Sequence, residues 1–156
     1  VSGLEDKQAM NADESILREY FKEDYYAAEL GIDLLEFEDG YARARMKLDR
    51  KHRNGLRMVH GGAIFGLADF AFAVAGNSHG TAAVAIHADI SYVGIAKGGV
   101  LYAEAREQSC SARLGAYDVR VTDETGTVVA LFHGMVYRKP DRIADIVAAR
   151  NAASNP

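Results

Sequence analysis

Residues 54–69 run Asn54-Gly55-Leu56-Arg57-Met58-Val59-His60-Gly61-Gly62-Ala63-Ile64-Phe65-Gly66-Leu67-Ala68-Asp69. A polar loop leads into two glycines, and a nearly all-apolar helical run follows. One carboxylate stands inside that run: between residues 62 and 75, Asp69 is the sole ionisable side chain. Burying a lone carboxylate among Ala, Leu, Phe and Val is costly unless something compensates. A helix that opens on Gly-Gly presents bare backbone N–H groups to an oxyanion. Donors at one end and a carboxylate further along are the two parts that hydrolysis of an ester or thioester requires.

Eight residues separate Gly61 from Asp69. At about 1.5 Å of rise per residue they lie roughly 12 Å apart along one helix. A base or nucleophile and the oxyanion donors must both come within about 3 Å of one reacting centre. One chain therefore cannot bring both to one substrate through this helix. A two-fold partner laying its own copy antiparallel alongside could, so the expected assembly is a symmetric dimer in which Gly61 faces the partner's Asp69.

Outward from this helix, expected over about 62–76, the pattern is that of one sheet. Asn11 with Glu14 reads as a capping box, and Ile16, Leu17, Tyr20, Phe21 and Tyr25 repeat at helical spacing up to Gly31. Ile32–Phe37 reads as a strand turned by Glu38-Asp39-Gly40. Tyr41–Leu48 alternates, with Arg43, Arg45 and Lys47 on one face and Ala42, Ala44, Met46 and Leu48 on the other. Further strands are expected at Ala82–Val93, Val100–Gln108, Ala116–Thr122 and Val128–Arg138, with Pro140 ending the sheet and a short helix over Arg142–Ala149. A helix apolar on every face must be wrapped by that sheet, which makes the fold class α+β. The division expected is an N-terminal segment and helix over 1–29, a main domain over 30–140 and a C-terminal tail over 141–156.

Composition excludes several classes. The chain has 156 residues and is 49% hydrophobic, enough for one domain with a real core and too apolar for a disordered segment. A net charge of -4 gives no electrostatic case for nucleic acid or an anionic membrane. Cys110 is the single cysteine, which excludes an internal disulfide and fits a reducing compartment. The start lacks an apolar leader, and no run reaches transmembrane length without a break at Asp69 or glycine. A cytoplasmic enzyme is the expectation.

Asn54, His60-Gly61-Gly62, Leu67-Ala68-Asp69, Ala71-Phe72-Ala73 and Gly76-Asn77-Ser78-His79-Gly80 together resemble the phenylacetate-pathway (PaaI-like) hotdog thioesterases. The likeness runs over about residues 30–140, through Val84-Ala85, Tyr92, Gly115-Ala116-Tyr117-Asp118 and Val129-Ala130-Leu131-Phe132-His133-Gly134. It implies a hotdog fold, hydrolysis of acyl-CoA with no cofactor beyond the CoA of the substrate, and a homodimer or dimer of dimers. It suggests an aromatic acyl group such as phenylacetyl or hydroxyphenylacetyl.

Within that resemblance Asp69 is the nucleophile or the general base, and Gly61 N–H polarises the thioester carbonyl. Gly62 serves close packing with a minor donor role. His60 flanks the donor and orients the site, and Asn54 holds the water or the carboxylate. Phe65, Phe70 and Phe72 are candidates to line the acyl pocket, as is His87. The CoA phosphates need cations, and Lys97, Arg113, Arg138 and Lys139 are the candidates. Relatives often carry Gly-Lys where this chain has Ser111-Ala112-Arg113, and Ser or Thr near Ala85, which cannot position a water.

Other residues carry less. His52, His79 and His133 lack metal-ligand spacing to one another or to Cys110, so no metal is expected. Gly76-Asn77-Ser78-His79-Gly80 fits the Gly-x-Ser-x-Gly pattern, but a nucleophile elbow joins a strand to a helix, and here the order is reversed. A hotdog hydratase or dehydratase and a non-catalytic acyl-CoA sensor are the rival readings. The first needs a His/acid pair around the β-carbon, and the second uses the same groove without turnover.

Overall fold

The computed structural model describes residues 13–154. Helix α1 occupies residues 13–21 of the described chain, and α2 spans Tyr25–Leu30. The helical spacing suggested one continuous helix through Tyr25 to Gly31. Instead the chain breaks at residues 22–24, because the Asp24 side chain accepts the Ala27 N–H at 3.0 Å and starts a new helix. Side chains of this kind compete with the backbone and favour caps over helix interiors. Asn11 lies outside the described residues, so the expected capping box does too. Gly31, at φ 71°, ends α2 in the left-handed conformation.

Six strands follow: β1 Ile32–Glu38, β2 Tyr41–Lys47, β3 Thr81–Tyr92, β4 Val100–Cys110, β5 Leu114–Asp123 and β6 Val128–Arg142. The long helix α3, Gly61–Asn77, sits between β2 and β3, and α4, Ile143–Ala153, closes the chain. The strands form one antiparallel sheet in the order β1-β2-β4-β5-β6-β3. The chain thus crosses from β2 through α3 to the far edge, then returns to build the middle.

The alternation in β2 holds as expected: Ala42, Ala44 and Met46 are fully buried, and the basic residues point away. Ala44 pairs with Ala103 and Ala42 with Ala105, all four fully buried. This floor of small side chains lets α3 lie close to the sheet. Phe72 fills the far side of the helix, packed on Tyr117 and Phe132 with ring centroids 5.7 and 5.4 Å away.

The sheet does not cover α3 completely. Along the helix Gly61, Gly62, Phe65, Asp69 and Ala73 keep exposure, and the residues between them are buried. That spacing of three and four residues traces one narrow open face. The helix that reads as apolar all round therefore has a direction, which its composition did not reveal.

The two sheet edges differ. Arg18 donates from Nη1 and Nη2 to the carbonyls of Leu34 and Leu35, at 3.3 and 3.4 Å, and blunts β1. The other edge, β3, is 12 residues long and exposes Val84, Ile86 and Tyr92, with Val93 and Ile95 just beyond. A long apolar edge is a template for pairing with another chain. Pro140 does not end the sheet: β6 runs on to Arg142, and Pro140 falls between Arg138 and Arg142 where the register against β3 slips. A residue without an N–H is tolerated at such an irregularity. No helix among the described residues is long and apolar enough to cross a membrane.

Candidate active site

The loop before α3 is folded by its own side chains. Asn54 Oδ1 accepts the N–H groups of Leu56 and Met58 at 3.0 and 3.1 Å, and Asn54 N–H donates to the Met58 carbonyl at 2.9 Å. The amide oxygen of Asn54 is therefore spent inside the loop, and its Nδ2 group is the end left for a ligand. His60 N–H donates to the His52 carbonyl at 2.7 Å. His52 itself is buried, with Nδ1 accepting from Asp49 N–H at 2.9 Å and Nε2 meeting the Leu30 carbonyl at 2.7 Å. Because Nδ1 accepts, the proton sits on Nε2 and is donated to Leu30. His52 thus staples the loop to the end of α2, a role its sequence neighbours give no sign of.

His60 is the N-cap of α3. Its Nδ1 accepts the Gly62 N–H at 2.8 Å, so the ring carries its proton on Nε2, directed away from the helix. This commits Gly62 N–H to the cap, where the sequence left it a minor donor role toward substrate. Gly61 N–H, by contrast, makes no hydrogen bond among the described residues. It is a bare amide at the positive end of a 17-residue helix.

Tyr92, to which the sequence assigns no role, packs against Gly61 on its carbonyl side. Its hydroxyl donates to the Gly61 carbonyl at 3.0 Å. A Cβ on residue 61 would lie 3.1 Å from Tyr92 Cζ. A side chain at residue 61 would therefore press on this exposed ring and displace it by a few tenths of an ångström.

Asp69 lies half-buried on the open face of α3 and makes no ion pair or hydrogen bond among the described residues. Burial pushes its carboxyl above the usual aspartate range, and the Asp24 carboxylate at the start of α2 adds to the rise. Asp24→Asn removes that charge and keeps a good capping side chain. The acid limb of the kcat/KM pH profile should then move to lower pH while the alkaline side stays in place.

The remaining candidates separate. Phe65 stays on the open face of α3, its ring edge-on to Phe132 at 5.6 Å. Phe72, 1% exposed, and Phe70, edge-on to Phe21, belong to the core and not to a pocket wall. His87 points to the outer face of the sheet, because Ile90 and Tyr92 on the same strand point toward α3. There it meets Asp89 at 3.0 Å and tilts toward His133, which is held by Asp118 at 2.7 Å. A groove of about 540 Å³ on that outer face involves Asp89, Arg106, Asp118 and His133 but neither Gly61 nor Asp69.

The cations also divide. Lys97 is exposed five residues beyond Tyr92, its backbone fixed by Asp123 Oδ2 at 2.9 Å. Arg113 is exposed in the β4–β5 hairpin, donating to Tyr137 Oη at 2.6 Å. Lys139 is exposed on β6. Arg138, 7% exposed, is not a free cation: it donates to Glu107 Oε2 at 3.1 Å, to Tyr117 Oη at 2.8 Å and to two hairpin carbonyls.

Glu107 also accepts from Tyr117 at 2.5 Å and contacts His79 Nε2 at 2.8 Å. Burial pushes its carboxyl up, but the hydrogen bonds from Tyr117 and His79, with Arg138 beside it, outweigh that and hold it below the usual range. Arg138→Ala should therefore destabilise the fold by about 3 kcal/mol in urea melts, since it strips a buried partner. KM for an acyl-CoA should stay unchanged. Cys110 comes within 4.8 Å of the His79 and Glu107 ligand atoms, a proximity the linear spacing did not indicate, but Glu107 is already engaged by Arg138, Tyr117 and His79. Ser78, the candidate elbow nucleophile, donates to the Ala75 carbonyl and accepts from Gly40 N–H, so it caps the far end of α3.

A single antiparallel sheet packed around one long helix is the arrangement of the hotdog thioesterases. The sequence profile of the thioesterase superfamily matches residues 56–130. The chain is 40% identical to a putative esterase of Archaeoglobus fulgidus over 76% of its own length and 77% of that protein's. It is 38% identical to the acyl-coenzyme A thioesterase PaaI of Escherichia coli, over 76% and 85% of the two chains. The solved structure of Escherichia coli PaaI superposes with a TM-score of 0.75, covering 78% of this chain and 89% of that one at 35% identity. A Streptococcus mutans protein crystallised with acetyl-CoA superposes at 0.67, with 27% identity over 71% of this chain and 90% of that one. The chain belongs to the thioesterase superfamily, as a PaaI-like hotdog protein.

Proposed function

We propose that the chain hydrolyses acyl-CoA thioesters in active sites shared by two copies. The observation that carries this reading is the pairing of unspent groups on one open helix face: Gly61 N–H with no partner, and Asp69 with no counter-ion, among the described residues. Two such faces packed antiparallel bring the amide of each chain to the carboxylate of the other. The long uncovered edge at β3 supports a two-fold contact that extends the sheet, as a dimer or a dimer of dimers.

The thioester oxygen accepts from Gly61 N–H, and the helix N-terminus stabilises the charge that develops there. The partner's Asp69 either takes a proton from water as that water attacks the carbonyl carbon, or attacks that carbon itself. The tetrahedral intermediate collapses, the C–S bond breaks, and CoA leaves as its thiol once protonated. In the second route water then hydrolyses the anhydride. Asn54 Nδ2 and His60 Nε2–H are the donors available to hold the water or the carboxylate. Phe65 offers an apolar surface to the acyl group, and an aromatic acyl group is the substrate class favoured. Lys97, Arg113 and Lys139 are the cations available to CoA phosphates. Arg138 is not among them.

Thiol release measured with a chromogenic disulfide across acetyl-, hexanoyl- and phenylacetyl-CoA tests this directly. Turnover supports it. Tight binding with no CoA release would instead assign an acyl-CoA sensor.

A further inference from the structure

We propose that Tyr26 is the specificity-determining wall of the acyl pocket, and that it selects acyl groups carrying an aromatic ring. This rests on the reading that Asp69 acts at the thioester. Tyr26 is 65% exposed although it sits on a helix packed against α3. What brings it there is Gly66. A Cβ at that position would lie 2.6 Å from Leu30 Cδ1, which takes most of the space, and 3.4 Å from Tyr26 Cε1, so the tyrosine ring rests in van der Waals contact beside the bare Gly66 Cα.

Gly66 and Asp69 are three residues apart and neighbours on the helix surface. Asp24, two residues before Tyr26, is close enough to raise the Asp69 carboxyl. The ring of Tyr26 therefore borders the open face on which Phe65 and Asp69 stand. Two large aromatic surfaces flank the carboxylate: Tyr26 is mostly exposed, and Phe65 keeps part of its ring open while its edge packs on Phe132. An acyl group whose carbonyl lies at Asp69 extends between them, and a flat ring fits that slot better than an alkyl stub does. Tyr25, 71% exposed on the same helix, is the natural control.

The experiment compares kcat/KM for phenylacetyl-CoA and acetyl-CoA in wild type, Tyr26→Phe, Tyr26→Leu, Tyr26→Ala and Tyr25→Ala. The phenylacetyl-to-acetyl ratio should fall about tenfold or more in Tyr26→Leu and Tyr26→Ala. It should stay within about threefold in Tyr26→Phe and unchanged in Tyr25→Ala. Titration with a thioether analogue bearing phenylethyl in place of phenylacetyl reads the same pocket without turnover, and the Leu and Ala variants should bind it about tenfold more weakly. Equal losses on both substrates, or unchanged analogue binding in a folded Tyr26→Leu, would overturn the proposal. Release of CoA by Asp69→Asn would sink the catalytic reading alone, because the ratio and the analogue titration stand apart from it.

Discussion

Asp69→Asn should abolish CoA release from every acyl-CoA that the wild type cleaves, lowering kcat by about 10³-fold or more, and should make the protein harder to unfold. The loss follows from either route, since an amide can neither accept the proton of the attacking water nor form an anhydride. The gain in stability follows from the state of the carboxyl. Burial, helped by Asp24, raises its folded pKa above that of the unfolded chain. Between those two values the native state binds more protons than the unfolded one, so stability falls as pH rises through that window. Above the folded value the whole cost is present. Asn carries no charge and nearly the same shape, so it removes the cost without opening a cavity. Thermal melts at neutral pH should therefore show a higher Tm for Asp69→Asn. The difference should shrink as pH drops toward the ordinary aspartate range. A variant that loses activity together with stability would mean that Asp69 holds the fold and not the reaction.

That combination also explains which features could be read from the chain alone. The α3 run and the lone Asp69 are legible because an unbroken apolar stretch and an unpaired acid are local properties. The alternation of β2 is legible for the same reason, since its period is set by neighbours two residues apart. Facing is different. Phe65, Phe70 and Phe72 look equivalent in a helix with no polar stripe, and only the packing of Phe72 on Tyr117 and Phe132 separates core from groove. Arg138 looks like a solvated cation at a strand end, because its partners Glu107 and Tyr117 lie 31 and 21 residues away on other strands. Leu30, with Tyr26 beside it, and Tyr92 pack into what Gly66 and Gly61 lack. An absent Cβ leaves no trace at the residue that fills its space. The break at Asp24 was hidden by Tyr25 continuing the helical spacing. Capping by a side chain three residues upstream of its donor overrode the pattern, which holds for Ile16, Leu17, Tyr20 and Phe21 but not for the exposed Tyr25.

Heterodimers in which one chain carries Asp69→Asn and the other Gly61→Pro should recover about half of the wild-type rate per dimer, although each parent homodimer is nearly dead. Gly61→Pro deletes the amide hydrogen at the first helical position, where proline is otherwise tolerated. His60 before it, at φ -66° and ψ 134°, already has the extended backbone that a following proline requires. The new ring presses on Tyr92, whose exposed phenol can swing aside. Loss of one oxyanion donor lowers kcat about 10²- to 10³-fold in the Gly61→Pro homodimer. In the mixed dimer the chain bearing Asp69→Asn still offers its Gly61 amide, and the chain bearing Gly61→Pro still offers its Asp69. Those two intact groups meet in one site, and the other site carries both lesions. Were both groups of each site drawn from a single chain, every site would carry one lesion and mixing would restore nothing. Two affinity tags, co-expression and tandem purification isolate the mixed species. The rate per dimer then distinguishes a shared site from an internal one, because the two chains together hold the same set of side chains in either case. Only the way α3 of one chain lies against α3 of the other decides whether an intact pair exists.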